Sequence, residues 1–228
     1  MTLGRRTVLA WGVLAGALAG AAPLANAGAY RDFFLAIELD HDFDVIDLLR
    51  RGFDPNARDR HGQPALIVAL SGDARKSAAA LIAAKGLKVE ARNAKDESPL
   101  MMAALRGNLD AARALIARDA DVNKPGWTPL HYAASGTSAD APAMVALLLE
   151  HAAYIDAASP NGTTPLMMAL RYGLYDSAAL LVKEGADATI KNQLGLTALD
   201  FARQTQRDDM EELALRALQR QQPEGGKW

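Results

Sequence analysis

The sequence predicts an all-α solenoid of about six helix-turn-helix units. Three observations carry that expectation. A short helix-starting device recurs along the chain at near-constant spacing. Each copy is followed by a second apolar run and a turn. No strand-rich segment interrupts the pattern. The clearest copy is Asn161-Gly162-Thr163-Thr164-Pro165-Leu166-Met167-Met168-Ala169. Gly162 can take positive φ and so close a turn. Thr164 offers its hydroxyl to an orphan N–H of the first helical turn. Pro165 sits where a missing N–H costs nothing. Leu166 and Ala169 share one helical face.

Thr128-Pro129-Leu130-His131-Tyr132-Ala133 is the most complete copy, and Ser98-Pro99-Leu100-Met101-Met102-Ala103 keeps a hydroxyl cap. Gly195-Leu196-Thr197-Ala198-Leu199 loses the proline, and Gly62-Gln63-Pro64-Ala65-Leu66 is the most worn. With Leu66, Leu100, Leu130, Leu166 and Leu199 as register, the intervals are 34, 30, 36 and 33. Roughly residues 30 to 218 resemble the ankyrin repeat, whose period is about 33 with a T-P-L-H-x-A start. The resemblance implies β-turn fingers between the helix pairs and capping repeats at both ends.

Residues 1–27 read as a cleaved signal peptide. Arg5 and Arg6 form a basic start, Val8 to Ala22 is apolar, and Ala25-Asn26-Ala27 fits the small-residue cleavage pattern. The cut is expected between Ala27 and Gly28, leaving no membrane anchor. Gly4-Arg5-Arg6-Thr7-Val8-Leu9 resembles a twin-arginine export signal, with an ordinary secretory signal as the alternative. Either route places the protein in the bacterial periplasm. Its removal moves the formal charge from −2 to −4, because residues 1–27 contain no acid. That balance gives no nucleic-acid footprint. With no cysteine, disulfides, zinc–thiolate sites and cysteine nucleophiles are excluded.

The repeat domain is then expected over 28–218. Asp32 to Gly52 reads as an N-terminal capping pair without the T-P-L start. The second pair, Ala65 to Gly86, has one extra residue, placed near Ser71-Gly72-Asp73. In the third, Pro99 to Asp119, Asp119 stands where the family usually has glycine. Asp tolerates the left-handed conformation, so the register survives. The fourth pair, Pro129 to Ala152, has a shortened connection from Asn123 to Thr128 and a lengthened loop around Thr137-Ser138-Ala139-Asp140. The fifth, Pro165 to Gly185, is the most regular. The sixth starts at Ala198, and its acids Asp208, Asp209, Glu211 and Glu212 suit a solvated cap rather than a metal cluster. Residues 219–228 read as a flexible tail.

No phosphate loop, HExxH motif or nucleophile constellation is present, so no catalytic, cofactor or metal residues are assigned and no enzyme is expected. His131 fills the T-P-L-H position, where the family uses it as a structural hydrogen-bonding group. The ankyrin resemblance implies protein binding through a concave groove lined by the fingers and the first helices. Mapped onto this chain, the contact positions are Gln63, Glu97, Leu105, Arg106, Trp127, Thr163, Arg171, Tyr172 and Leu196. Trp, Tyr and Arg are the residue types of interface anchors. The expected role is that of a monomeric, non-catalytic binding module for an unidentified protein. The resemblance to exported bacterial ankyrin proteins suggests a stress-defence enzyme such as a catalase as partner. An exported inhibitor, effector or immunity-type protein is the alternative.

Overall fold

The computed structural model describes residues 22–221, so residues 1–21 of the expected signal and 222–228 of the expected tail lie outside it. The described residues form twelve helices in six pairs. They are α1 (Ala22–Glu38) with α2 (Asp42–Arg50), α3 (Ala65–Ser71) with α4 (Arg75–Ala83), and α5 (Pro99–Arg106) with α6 (Leu109–Ile116). Then follow α7 (Pro129–Ser135) with α8 (Ala141–Glu150), α9 (Pro165–Arg171) with α10 (Tyr175–Lys183), and α11 (Ala198–Arg203) with α12 (Asp208–Gln221). First helices stack on first helices and second on second, so each pair touches its sequence neighbours. Among the described residues the only β feature is an isolated bridge between Arg58 and Pro64 in a finger.

The helix starts work as the sequence implies. Ser98 Oγ accepts from the Met101 N–H at 3.3 Å, and Thr128 and Thr164 cap His131 and Met167 in the same way. The residue at that third helical position bonds back. Met101 Sδ, His131 Nδ1 and Met167 Sδ each accept the N–H of their own cap residue. In α11, which lacks proline, the Asp200 carboxylate takes both the Thr197 N–H and hydroxyl at 2.7 Å. These bonds hold that carboxyl below its ordinary pKa.

Burial follows the register leucines. Leu66, Leu100, Leu130 and Leu166 are almost wholly buried, while Leu199 in the last pair, with a neighbour on one side only, is half-buried. Each fully buried leucine contributes about 2 kcal/mol of transfer free energy. Asp119 and Ala152 end their helices at φ 63° and 60°, in the left-handed region that Gly185 occupies one repeat later.

In the connections between pairs a side-chain ladder joins successive repeats. Asn56 donates to the Gly86 carbonyl and accepts the Lys88 N–H, and Asn123 does the same with Ala152 and Tyr154. Glu90 and Asp156 hold the corresponding positions and accept the N–H groups of Asp121 and Asp187.

Two boundaries differ from the sequence reading. The extra residue of the second pair does not lie between its helices, since α3 and α4 are joined by three residues just as α9 and α10 are. It lies after α4, where Ala84 turns extended and delays the left-handed residue to Gly86. The repeat domain does not stop at residue 218, because α12 runs to Gln221. There the Gln221 side-chain amide donates to the Ala186 carbonyl and accepts the Ala188 N–H, tying the end of α12 to the connection before α11. Ala27 and Gly28, the expected cleavage pair, lie in the second turn of α1.

Candidate functional site

The shortened connection before α7 determines the shape of the concave face. Lys124 stands where the equivalent turns have Ala57, Ala91 and Ala157. Its stem is buried, and its ammonium donates to the carbonyls of Pro125 at 3.1 Å and Trp127 at 3.2 Å. It also pairs with Asp96 Oδ2 at 2.7 Å, and Arg92 reaches the same carboxylate at 3.2 Å. Hydrogen bonds from Lys124 and then Arg92 hold the Asp96 carboxyl below its ordinary pKa. The short turn is thus held closed by one buried cation. That bends Trp127 inward, half-buried, with its indole edge-on to the His131 ring at 5.3 Å between centroids.

His131 is fully buried and fixes the floor beneath the indole. Its Nε2 lies 2.9 Å from the Thr163 carbonyl, which can only accept, so the proton sits on Nε2. Nδ1 is then free to accept from the Thr128 N–H and hydroxyl. Burial pushes the imidazole pKa down, so the ring stays neutral and structural.

Between Trp127 and the next finger lies a groove of about 300 Å³, with an apolar floor and polar edges. Thr163 of the fifth finger, Met168, Arg171 and Tyr172 of α9, Leu194 and Leu196 of the sixth finger, and Phe201 of α11 line it. The Arg171 guanidinium lies 5.9 Å from the Phe201 ring centroid, within cation–π range. Tyr172 is 55% exposed and Leu194 78% exposed. A concave apolar floor with one exposed cation and a phenol at the rim can hold a protruding side chain and accept a nearby carboxylate.

Of the nine mapped positions, Trp127, Thr163, Arg171, Tyr172 and Leu196 line this one groove. Thr163 is buried and forms its floor through the backbone, donating its N–H to Ser159 Oγ at 3.0 Å. Gln63 and Glu97 fall in a separate cluster. Asn93 Nδ2 donates to Glu97 Oε2 at 2.7 Å and to Gln63 Oε1 at 3.4 Å, and the Tyr132 hydroxyl donates to Glu97 Oε1 at 2.8 Å. Burial, then the neighbouring carboxylate, raises the Tyr132 pKa. Leu105 is half-buried on α5, and Arg106 is exposed but donates back to the Ser71 carbonyl, so it braces the first helices.

Sequence reasoning missed Lys124, Leu194 and Phe201. Two of them leave a signal. Lys124 replaces the small residue of its register, and Leu194 occupies a finger tip that is polar elsewhere, at His61, Lys95 and Asn161. Phe201 leaves none, because an aromatic residue inside a helix reads as core. Among the described residues no group of three or more potential metal ligands is found, and no helix is long and apolar enough to cross a membrane.

A family model described as ankyrin repeats matches in three copies, over residues 33–125, 121–192 and 143–217. The chain is 34% identical to the B-cell lymphoma 3 protein homolog of Mus musculus over 190 residues, covering 79% of this chain and 42% of that protein. It is also 34% identical over 154 residues to the nuclear factor NF-kappa-B p105 subunit of Gallus gallus, covering 65% of this chain and 16% of the relative. The chain therefore spans less than half the length of either relative. Among solved structures, the ankyrin repeat domain of Bcl-3 superimposes with a TM-score of 0.65 at 31% identity, covering 81% of each chain. An ankyrin repeat domain from Acinetobacter baumannii AYE gives 0.67 at 27% identity, covering 81% of this chain and 96% of that one.

Proposed function

The chain belongs to the ankyrin repeat family, and from that premise we propose that it is a non-catalytic protein-binding module acting in the bacterial periplasm. The partner contacts the concave groove between Trp127 and α11. One observation carries this reading: residues from three fingers and two first helices converge on a single apolar recess with Arg171 and Tyr172 at its rim. Export rests on the Arg5-Arg6 pair, the apolar run and the Ala25-Asn26-Ala27 site. Resemblance to exported bacterial ankyrin proteins makes a stress-defence enzyme such as a catalase the first partner to test.

The experiment is capture of the partner from a periplasmic extract, followed by titration calorimetry with that partner. Trp127→Ala should weaken binding by about 2 kcal/mol, roughly thirtyfold. Circular dichroism checks that the variant is folded, and Tyr172→Ala, a change at an exposed residue, provides a second measurement. Unchanged affinity in both folded variants would place the partner elsewhere on the molecule.

A further inference from the structure

The outer faces of the first and last pairs are finished differently. The last helix, α12, turns Asp208, Asp209, Glu212, Arg216 and Arg220 outward, and its one large exposed apolar residue is Leu215 at 38%. The first pair exposes Leu35 at 48%, Leu39 at 55% and Phe43 at 82%. A repeat array needs a polar outer face on each terminal unit to stay soluble. Among the described residues, the N-terminal end instead sets its polar residues around an apolar centre.

We propose that this end face docks one basic amphipathic helix of a partner protein, stacked on α1 and α2 as a preceding repeat would be. A cavity of about 280 Å³ opens there between the two helices, with Leu35 and Leu39 in its wall and Asp32, Asp44 and Asp47 around it. All of its lining comes from α1, α2 and the turn between them, so it opens away from α3 and α4. Two helices side by side leave a groove that a third helix fills. Charge identifies the occupant. Three acids, Asp32, Asp44 and Asp47, line the cavity with no Lys or Arg among the lining residues, and the one basic neighbour in the lining is His41, 3.5 Å from Asp44. Asp32 and Asp47 meet Arg31 and Arg51 only at the exposed surface. A helix with Leu on one face and Lys or Arg flanking it satisfies both the apolar wall and the acidic rim. This surface lies at the opposite end of the array from the Trp127 groove and does not depend on it.

The test uses the full chain and two fluorescent peptides of about 18 residues, roughly five helical turns. One presents Leu flanked by Lys, the other Leu flanked by Glu. Anisotropy should show binding of the Lys peptide and little of the Glu peptide. The double variant Leu39→Ser, Phe43→Ser should weaken the Lys peptide about tenfold or more. Asp44→Lys should weaken the Lys peptide and strengthen the Glu peptide, and Tyr172→Ala in the concave groove should change neither. The proposal is overturned if the Lys peptide does not bind, if both peptides bind equally, or if the double variant binds as before. It is also overturned if sedimentation shows a self-association that the double variant abolishes, since the face would then belong to a second copy.

Discussion

The fourth and fifth pairs solve the same structural problem with different materials. The fifth uses local backbone chemistry. Gly162 at φ 77° turns the finger, Ser159 and Asn161 accept the Thr163 N–H, and Gly185 ends the second helix. The fourth has a short finger, and Ala152 replaces the terminating glycine. It compensates with side chains that reach across repeats: Lys124 to Asp96, and His131 to Thr163. The difference teaches that repeat register can be held by backbone conformation or by buried polar side chains. Only the second way leaves a finger short enough to bring a tryptophan into the groove.

The comparison can be broken most forcefully at His131. His131→Ala removes the acceptor of the Thr128 N–H, the inter-repeat bond and a buried ring together. A loss of about 3 kcal/mol is expected in urea denaturation. His131→Met installs the residue that α5 and α9 use at this position, keeps a cap acceptor, and should cost only about 1 kcal/mol. Equal losses in the two variants would mean that the Thr163 bond carries the whole effect.

Lys124→Met keeps the apolar stem and deletes the ammonium. It leaves two carbonyls without their donor, so a loss of about 2 kcal/mol is expected. Trp127 fluorescence should shift as the short turn loosens. If the midpoint in urea holds, the ammonium is not what closes the turn.

In the fifth pair the weak point is Asp156. Burial raises its carboxyl pKa; the hydrogen bond from the Asp187 N–H pulls it partly back, and the Asp187 carboxylate's charge adds a smaller push upward. A group whose folded pKa lies above its unfolded value contributes stability that is present below the unfolded value and lost as pH rises through the folded one. At neutral pH Asp156 is therefore a liability, where Asn56 and Asn123 in the same register donate to the left-handed residue of the next pair. Asp156→Asn should supply the missing donor to the Gly185 carbonyl and stabilise by about 1 kcal/mol at pH 7. The gain should shrink as pH falls into the ordinary carboxylate range. A gain independent of pH would argue against the ionised carboxylate as its source.

The smallest effect is expected at Ala152. At φ 60° an alanine pays about 1 kcal/mol that glycine does not, and glycine returns part of this through its freer unfolded chain. Ala152→Gly should stabilise by about 0.5 kcal/mol, seen as a higher midpoint in urea. A lower midpoint would show that the entropy term outweighs the strain.

The repeat positions, the helix starts and the left-handed helix ends at Asp119 and Ala152 were legible in the sequence. Each is encoded within a few residues. A Thr-Pro pair fixes its own first turn, and a terminating position shows by its distance from the register leucine. The groove was legible only in part. Trp127, Arg171, Tyr172 and Leu196 could be mapped by repeat position, yet Thr163 turned out to be floor, and Gln63 and Glu97 belong to another cluster.

The sequence by itself determined the period, the caps and the side of each helix that is buried, because those depend on short-range geometry repeated along the chain. The tertiary structure alone decided that Lys124 would be buried and that Phe201 would close a groove begun 74 residues earlier at Trp127. It also decided that, among the described residues, Leu35, Leu39 and Phe43 would stand exposed on α1 and α2. These outcomes depend on how far each pair is translated and rotated onto the next. That displacement is set jointly by the loop lengths and by packing across the stack, so no single repeat encodes it.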